Sequence, residues 1–155
     1  MTPERAVRCV EIRVIGLPAP QGSKRLIGHT KMGRGILVES SAKVKPWREA
    51  VKYAALEAFD PGAYPREYRI RGPVDVEMVF TLPKPKSAPK THRIWPDKRP
   101  DLSKLVRSTE DALTDAGVWE DDARVVHCDA VKVFPGEHAD ALHVPGAVIR
   151  IRGVA

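Results

Sequence analysis

From Arg99 to Phe134 the chain reads RPDLSKLVRSTEDALTDAGVWEDDARVVHCDAVKVF. Asp101 is a favourable cap residue, and behind it Leu102, Leu105, Thr109, Ala112, Leu113 and Ala116 recur at helical spacing, which predicts a helix over Asp101–Ala116. Gly117 stops it. Asp121 and Asp122 follow in a tight connection, and Val125–Phe134 reads as a strand. Helix, acidic turn and strand therefore succeed one another with almost no linker.

Upstream of this block, Val74, Val76, Met78 and Phe80 share one face of a predicted strand over Val74–Phe80, with Asp75 and Glu77 on the other. Between it and the helix lies TLPKPKSAPKTHRIWPDKRP, an irregular basic loop that its prolines stiffen; a loop of this length in a small domain is usually functional or disordered. Further upstream, Val10, Ile12 and Val14 alternate with Glu11 and Arg13 in a strand over Val10–Ile15. It ends in LPAPQGSKR, which holds Lys24 and Arg25 near a strand end. LIGHTKMGRGILVES reads as an exposed loop with a short extended piece at Ile36–Val38.

A second helix begins after Ser41 or Lys45 with Pro46 in its first turn. Trp47, Val51, Ala54, Ala55 and Ala58 form its apolar face, and DPGAYP closes it. Trp47 is read as a core residue, with contact to a nucleic-acid sugar or base as the alternative. A last strand spans Ala147–Arg152. There is no internal repeat.

A length of 155 residues suits one hydrophobic core and not two, and the apolar share of 43% is ordinary for a globular chain. The expectation is a single domain of the α/β (α+β) class with two main helices, its core over about 10–152 and a basic loop at 82–100. Cys9 and Cys128 fall in strands and read as buried free thiols, which suits a reducing cytosol. No 18-residue apolar run and no signal-peptide core are present, so the expectation is a soluble, cytoplasmic protein without a membrane partner.

The net charge is +6. From Lys84 to Arg107 eight basic residues face two acidic ones, an excess equal to the charge of the whole chain. Lys84, Lys86, Lys90, Arg93, Lys98 and Arg99 are the candidate phosphate contacts of the loop, with Lys24 and Arg25 in a second cluster. If the chain folds back so that Asp101 meets the Asp121–Asp122 turn, the clustered carboxylates call for a hard cation such as Mg²⁺. Lys104 and Arg107, one turn apart, would face the scissile phosphate. The plainer alternative makes Asp101 a cap, Asp121 and Asp122 turn residues, and Arg107 a partner for Asp111. Residue chemistry alone leaves open a metal-dependent nuclease, a nucleic-acid binder and another basic α/β protein.

The block RPDLSKLVRSTEDALTDAGVWEDDARVV resembles the signature of the RusA family of Holliday-junction resolvases. LPAPQGSKR is similar to the family's Pro-rich segment after its first strand, SAKVKPWREAV to the entry into its first helix, and VVHCDAVKVF to a strand. The resemblance spans roughly Ile12 to Phe134. It implies a small domain with a mixed sheet, acting as a homodimer that cleaves four-way DNA junctions with Mg²⁺, and with Mn²⁺ as a substitute. It also implies a place in phage or prophage recombination or packaging, hence a host cytoplasm. By motif position Asp101 and Asp122 are catalytic, metal-holding aspartates. Arg107 stands where the family has an essential lysine, and Lys104 where it has asparagine. Ser103 departs from the pattern, standing where a second catalytic aspartate is expected. Asp97, Glu110 and Asp121 are the candidates to compensate, and the rival implied is a branched-DNA-binding protein with lost or weak cleavage.

Overall fold

A computed structural model describes residues 9–22, 24–39, 42–59 and 70–154. Its main sheet contains β1 (Cys9–Ile15), β4 (Val74–Thr81), β5 (Val125–Val133) and β6 (Gly146–Gly153) in the order β1-β6-β4-β5. β6 runs antiparallel to β1 and β4, whereas β4 and β5 are parallel, so the sheet is mixed. Parallel neighbours need a crossover, and α2 (Leu102–Asp115) supplies it. α1 (Val44–Ala58) packs beside α2 and β1. The protein is thus a small α/β domain of one mixed sheet and two main helices.

Val74, Val76, Met78 and Phe80 lie at 0% exposure, and together with Ile12, Ile149 and Ile151 they meet the helices. Trp47 anchors α1 in that core. Its indole packs against Phe80 with centroids 6.4 Å apart and donates to the Thr109 hydroxyl at 3.2 Å. Thr109 donates in turn to the Leu105 carbonyl at 2.8 Å, so the polar atoms brought into the core by α1 and α2 satisfy one another. Gly146 is required by close approach, since a Cβ there would run into the Val14 carbonyl on β1. Gly117, at φ +73°, ends α2.

The other face of the sheet is charged. Arg150 on β6 reaches Glu11 on β1 at 3.0 Å, Glu77 on β4 at 3.3 Å and Asp140 at 2.6 Å. Asp75 also binds the His127 ring at 2.8 Å. One guanidinium therefore ties two neighbouring strands and the 134–145 connection to β6.

Two expectations are corrected. The segment read as an exposed loop with an extended piece at Ile36–Val38 is a hairpin, β2 (Lys24–His29) against β3 (Gly35–Glu39), with its turn at Thr30–Arg34; the extended piece falls inside β3, and the strand opposite it is what the loop reading lacks. Backbone pairing, which needs no apolar alternation, holds it. Cys9 and Cys128 lie in strands as expected but are exposed, because β1 and β5 are the two edges of the sheet. The segment DPGAYP lies outside the described residues.

Candidate nuclease site and basic loop

α2 is held by its buried polar side. The Ser108 hydroxyl donates to the Ala19 carbonyl at 2.7 Å, and the Gln21 amide donates to the Lys104 carbonyl at 3.0 Å. The proline-rich segment after β1 is thereby fastened along the first half of the helix. At the helix start the Lys132 ammonium, on β5, donates to the Lys98 and Pro100 carbonyls at 2.9 Å each. The basic loop is therefore clamped where it enters α2.

Asp101 occupies the N-cap with an extended backbone, but its side chain makes no capping hydrogen bond. The carboxylate is exposed and lies 3.9 Å from the Lys104 ammonium, a loose surface pair. Ser103 and Arg107 are exposed as well. The first two turns of α2 thus offer solvent one carboxylate, one hydroxyl and two cations.

Asp122 is at the other end. It begins a single 3-10 turn (Asp122–Arg124) and accepts a hydrogen bond from the Thr114 hydroxyl, which itself accepts from the Trp119 indole at 2.7 Å. From the cap to Thr114 the helix climbs about 20 Å at its normal rise. Asp101 lies near Lys132 at the far end of β5, whereas Asp122 immediately precedes its start. The expected meeting of Asp101 with Asp122 does not occur within one chain.

Instead Asp122 has Asp111 and Glu110 beside it. Burial pushes the Asp111 carboxyl up, and the charge of Asp122 pushes it further against the pull of Arg48. Glu110 is raised by burial first and then by Asp122 and Asp111. The sequence reading does not place Asp111 in the site, although Asp111, Thr114 and Asp115 share a helical face by spacing alone. Among the candidates to compensate for Ser103, Glu110 joins this cluster. Asp121 is engaged as the cap of the turn, accepting from the Ala123 amide at 2.7 Å, and Asp97 stays in the basic loop. Among the described residues no group of three metal-ligating side chains is disposed to hold an ion.

The loop cations divide into two sets. Lys84 pairs with Glu137 at 2.9 Å and lies over the Phe134 ring, and Arg93 donates to the Glu137 carbonyl, so these two brace the loop. Lys86, Lys90, Lys98 and Arg99 are exposed, and among the described residues none forms an ion pair. The expectation for Lys24 and Arg25 falls on side chains outside the described residues. Between the loop and the segment 17–22 opens a groove of about 810 Å³ with Asp101 and Lys104 on its rim. Among the described residues no helix is long and apolar enough to cross a membrane.

The family model for Endodeoxyribonuclease RusA matches residues 18–151. Among curated proteins no match is found.

Proposed function

The chain belongs to the RusA endodeoxyribonuclease family, and from that premise we propose that it is a Mg²⁺-dependent resolvase of four-way DNA junctions, acting as a homodimer whose two sites are each shared between protomers. The observation that carries the shared site is the separation of Asp101 from Asp122 along α2. β5 beside that helix is an exposed edge strand with unpaired backbone groups, the kind of surface that recruits another strand. Two copies joined antiparallel along this edge would bring the Asp101 end of each α2 to the Asp122 end of its partner. A symmetric pair of sites also matches the two equivalent strands of a four-way junction.

In this reading Asp101 and Asp122 supply hard oxygen donors suited to Mg²⁺, with Mn²⁺ as substitute. The ion, when bound, supplies charge neutralisation and an activated water. Arg107 and Lys104 hold the phosphate, and their charge opposes the build-up on its oxygens. Lys86, Lys90, Lys98 and Arg99 carry the arms of the junction. The deciding experiment measures binding and cleavage of a synthetic four-way junction in Mg²⁺, Mn²⁺ and chelator, beside duplex and single-stranded controls, with the mass followed by sedimentation. Metal-dependent paired cuts by a species of twice the chain mass are expected. A monomer that makes paired cuts, or a lack of preference for the junction, would sink the reading.

The loop assignment gives a second expected result. Joint substitution of Lys86 and Lys90 by alanine should lower the slope of log affinity against log salt by about 2, close to one per lost phosphate contact. The fold should be unchanged, since both side chains are exposed. An unaltered slope would place the DNA elsewhere.

Ser103 favours a second reading, a branched-DNA-binding protein whose cleavage is lost or weak. The residue is exposed two positions after the cap, where the backbone has only begun to turn, so its side chain and that of Asp101 can converge. A helix N-terminus also tolerates added negative charge. Ser103→Asp should therefore raise Mg²⁺-dependent single-turnover cleavage, most clearly at low metal concentration. A well-folded variant with neither a faster rate nor a tighter apparent metal affinity would remove the missing-ligand account.

A further inference from the structure

Three tryptophans differ sharply in their settings: Trp47 and Trp119 are 1% and 3% exposed, and Trp95 is 62% exposed. Trp95 lies in the basic loop, on the wall of the groove beside Asp101. Its backbone is held in place, because its carbonyl accepts from the Asp97 amide at 2.8 Å and Pro96 next to it is buried. The clamp of Lys132 on Lys98 and Pro100 fixes the chain just beyond. A large apolar ring is thus kept in solvent on a stiff support.

The groove itself is mostly apolar, lined by prolines of both loops and by Phe134, and its volume of about 810 Å³ falls in the range of pockets that enclose small ligands, roughly 300–1,000 Å³. Its rim is cationic. Lys43, Lys98, Arg99 and Lys104 border it against Asp97 and Asp101, and all four cations are exposed. Apolar walls, one free aromatic face and a ring of cations suit a group that is flat and uncharged at its centre and carries phosphates on either side. A nucleobase within a strand has that constitution.

We infer that this groove receives an unpaired nucleobase from the branch point, stacked on Trp95, with its flanking phosphates on the rim cations. The inference rests on the branched-DNA reading above and adds to it a physical source of structure selectivity. In an intact duplex both faces of a base are already stacked, so entry to the groove costs unpairing and unstacking. At a branch point that cost is smallest. Because Asp101 shares the rim, the captured base would also fix which phosphate lies at the carboxylate. Trp95 is therefore a positioning residue.

The test needs no cleavage and is run in chelator. Tryptophan emission of the wild type should be quenched on adding a four-way junction and little changed by duplex of the same arm sequence, and Trp95→Ala should abolish the response. 2-Aminopurine at the branch point should change its emission on binding, and the same probe inside an arm should not. Trp95→Ala should weaken junction binding on the order of ten-fold, the loss expected for one base stacked on an aromatic ring, with duplex binding unchanged. Trp95→Phe should recover most of the loss. A wild type that prefers the junction, paired with a Trp95→Ala variant that prefers it equally, would overturn the groove inference alone. Equal quenching by duplex, or by a proline-rich peptide in place of DNA, would overturn it too. A wild type with no junction preference removes both this inference and the function it rests on.

Discussion

Asp122→Asn should reduce junction cleavage by more than about a hundred-fold, beyond the 10–100-fold typical of losing only an outer partner of a metal site. Metal-free junction binding should persist, and the fold should gain stability at neutral pH. The gain has a local cause, since removing the charge of Asp122 lifts part of the repulsion on Asp111 and Glu110. Asparagine still accepts from Thr114, so the turn before β5 is retained. The sharper result comes from co-expressing Asp122→Asn with Asp101→Asn chains. With sites shared across the dimer, a mixed dimer holds one site lacking both carboxylates and one holding both, so single nicks should return although each parent is inactive. With both aspartates drawn from the same chain, every site of the mixed dimer would lack one, and no activity would return. Failure of complementation in a verified mixed dimer would therefore refute the shared site.

The largest expected loss of stability is at Trp47. Trp47→Ala should cost about 3–5 kcal/mol, in line with truncation of large buried aromatic residues, and lower the melting temperature by roughly 10 °C or more for a domain of this size. The indole is 1% exposed, packs against Phe80 and donates to Thr109. Its removal leaves a cavity between α1 and the sheet and deprives a buried hydroxyl of its donor. Trp47→Phe keeps much of the volume and should cost far less, with the lost hydrogen bond accounting for about 1 kcal/mol of it. Denaturant titration of both variants checks the pair. A Trp47→Ala midpoint close to wild type would mean that α1 does not depend on this contact.

The elements that bury one face are legible in the sequence to within a residue at most ends. The apolar spacing predicts β4 over Val74–Phe80 and it spans Val74–Thr81; it predicts α2 over Asp101–Ala116 and the helix spans Leu102–Asp115. Their apolar periods reflect the core directly. The β2–β3 hairpin leaves no such pattern, since it pairs through its backbone and stands apart from the main sheet. The cysteines mislead for a related reason. A strand pattern says that a residue alternates in direction, but not that its strand is an edge.

The candidate site is legible in its residue types and illegible in its grouping. A helix that leads directly into a strand parallel to its predecessor must run back along the sheet, so its start and the start of that strand lie at opposite ends. The length of α2, about 20 Å, is implicit in the spacing of Asp101 and Thr114. That length argues against one chain holding both aspartates. Recognising Asp111 and Glu110 as neighbours of Asp122 needs the turn at Val118–Arg124, which sets where the carboxylate points. The charge of Glu110 is also felt on the edge strand, where the Cys128 thiol, part of an exposed residue but partly desolvated by its neighbours, is pushed up to about 11 by that desolvation and then by Glu110, Asp129 and Asp75.

The Arg150 node and the carboxylates beside Asp122 have opposite appetites for protons. Glu11 is held below the usual carboxylate range, by Arg13 first and then by Arg150, and Asp140 is held there chiefly by Arg150. Groups with depressed values add stability above their unfolded pKa, and that stability drains away as the pH falls through the folded one. Glu110 and Asp111, with raised values, behave in reverse: mild acid protonates them in the folded chain first and relaxes their crowding around Asp122. Acidification therefore quiets the carboxylates at one end of α2 before it loosens the ties between strands on the far face of the sheet. In a mildly acid buffer the sheet should keep its ties while Glu110 and Asp111 are already neutral, so the surroundings of Asp122 change before the architecture does.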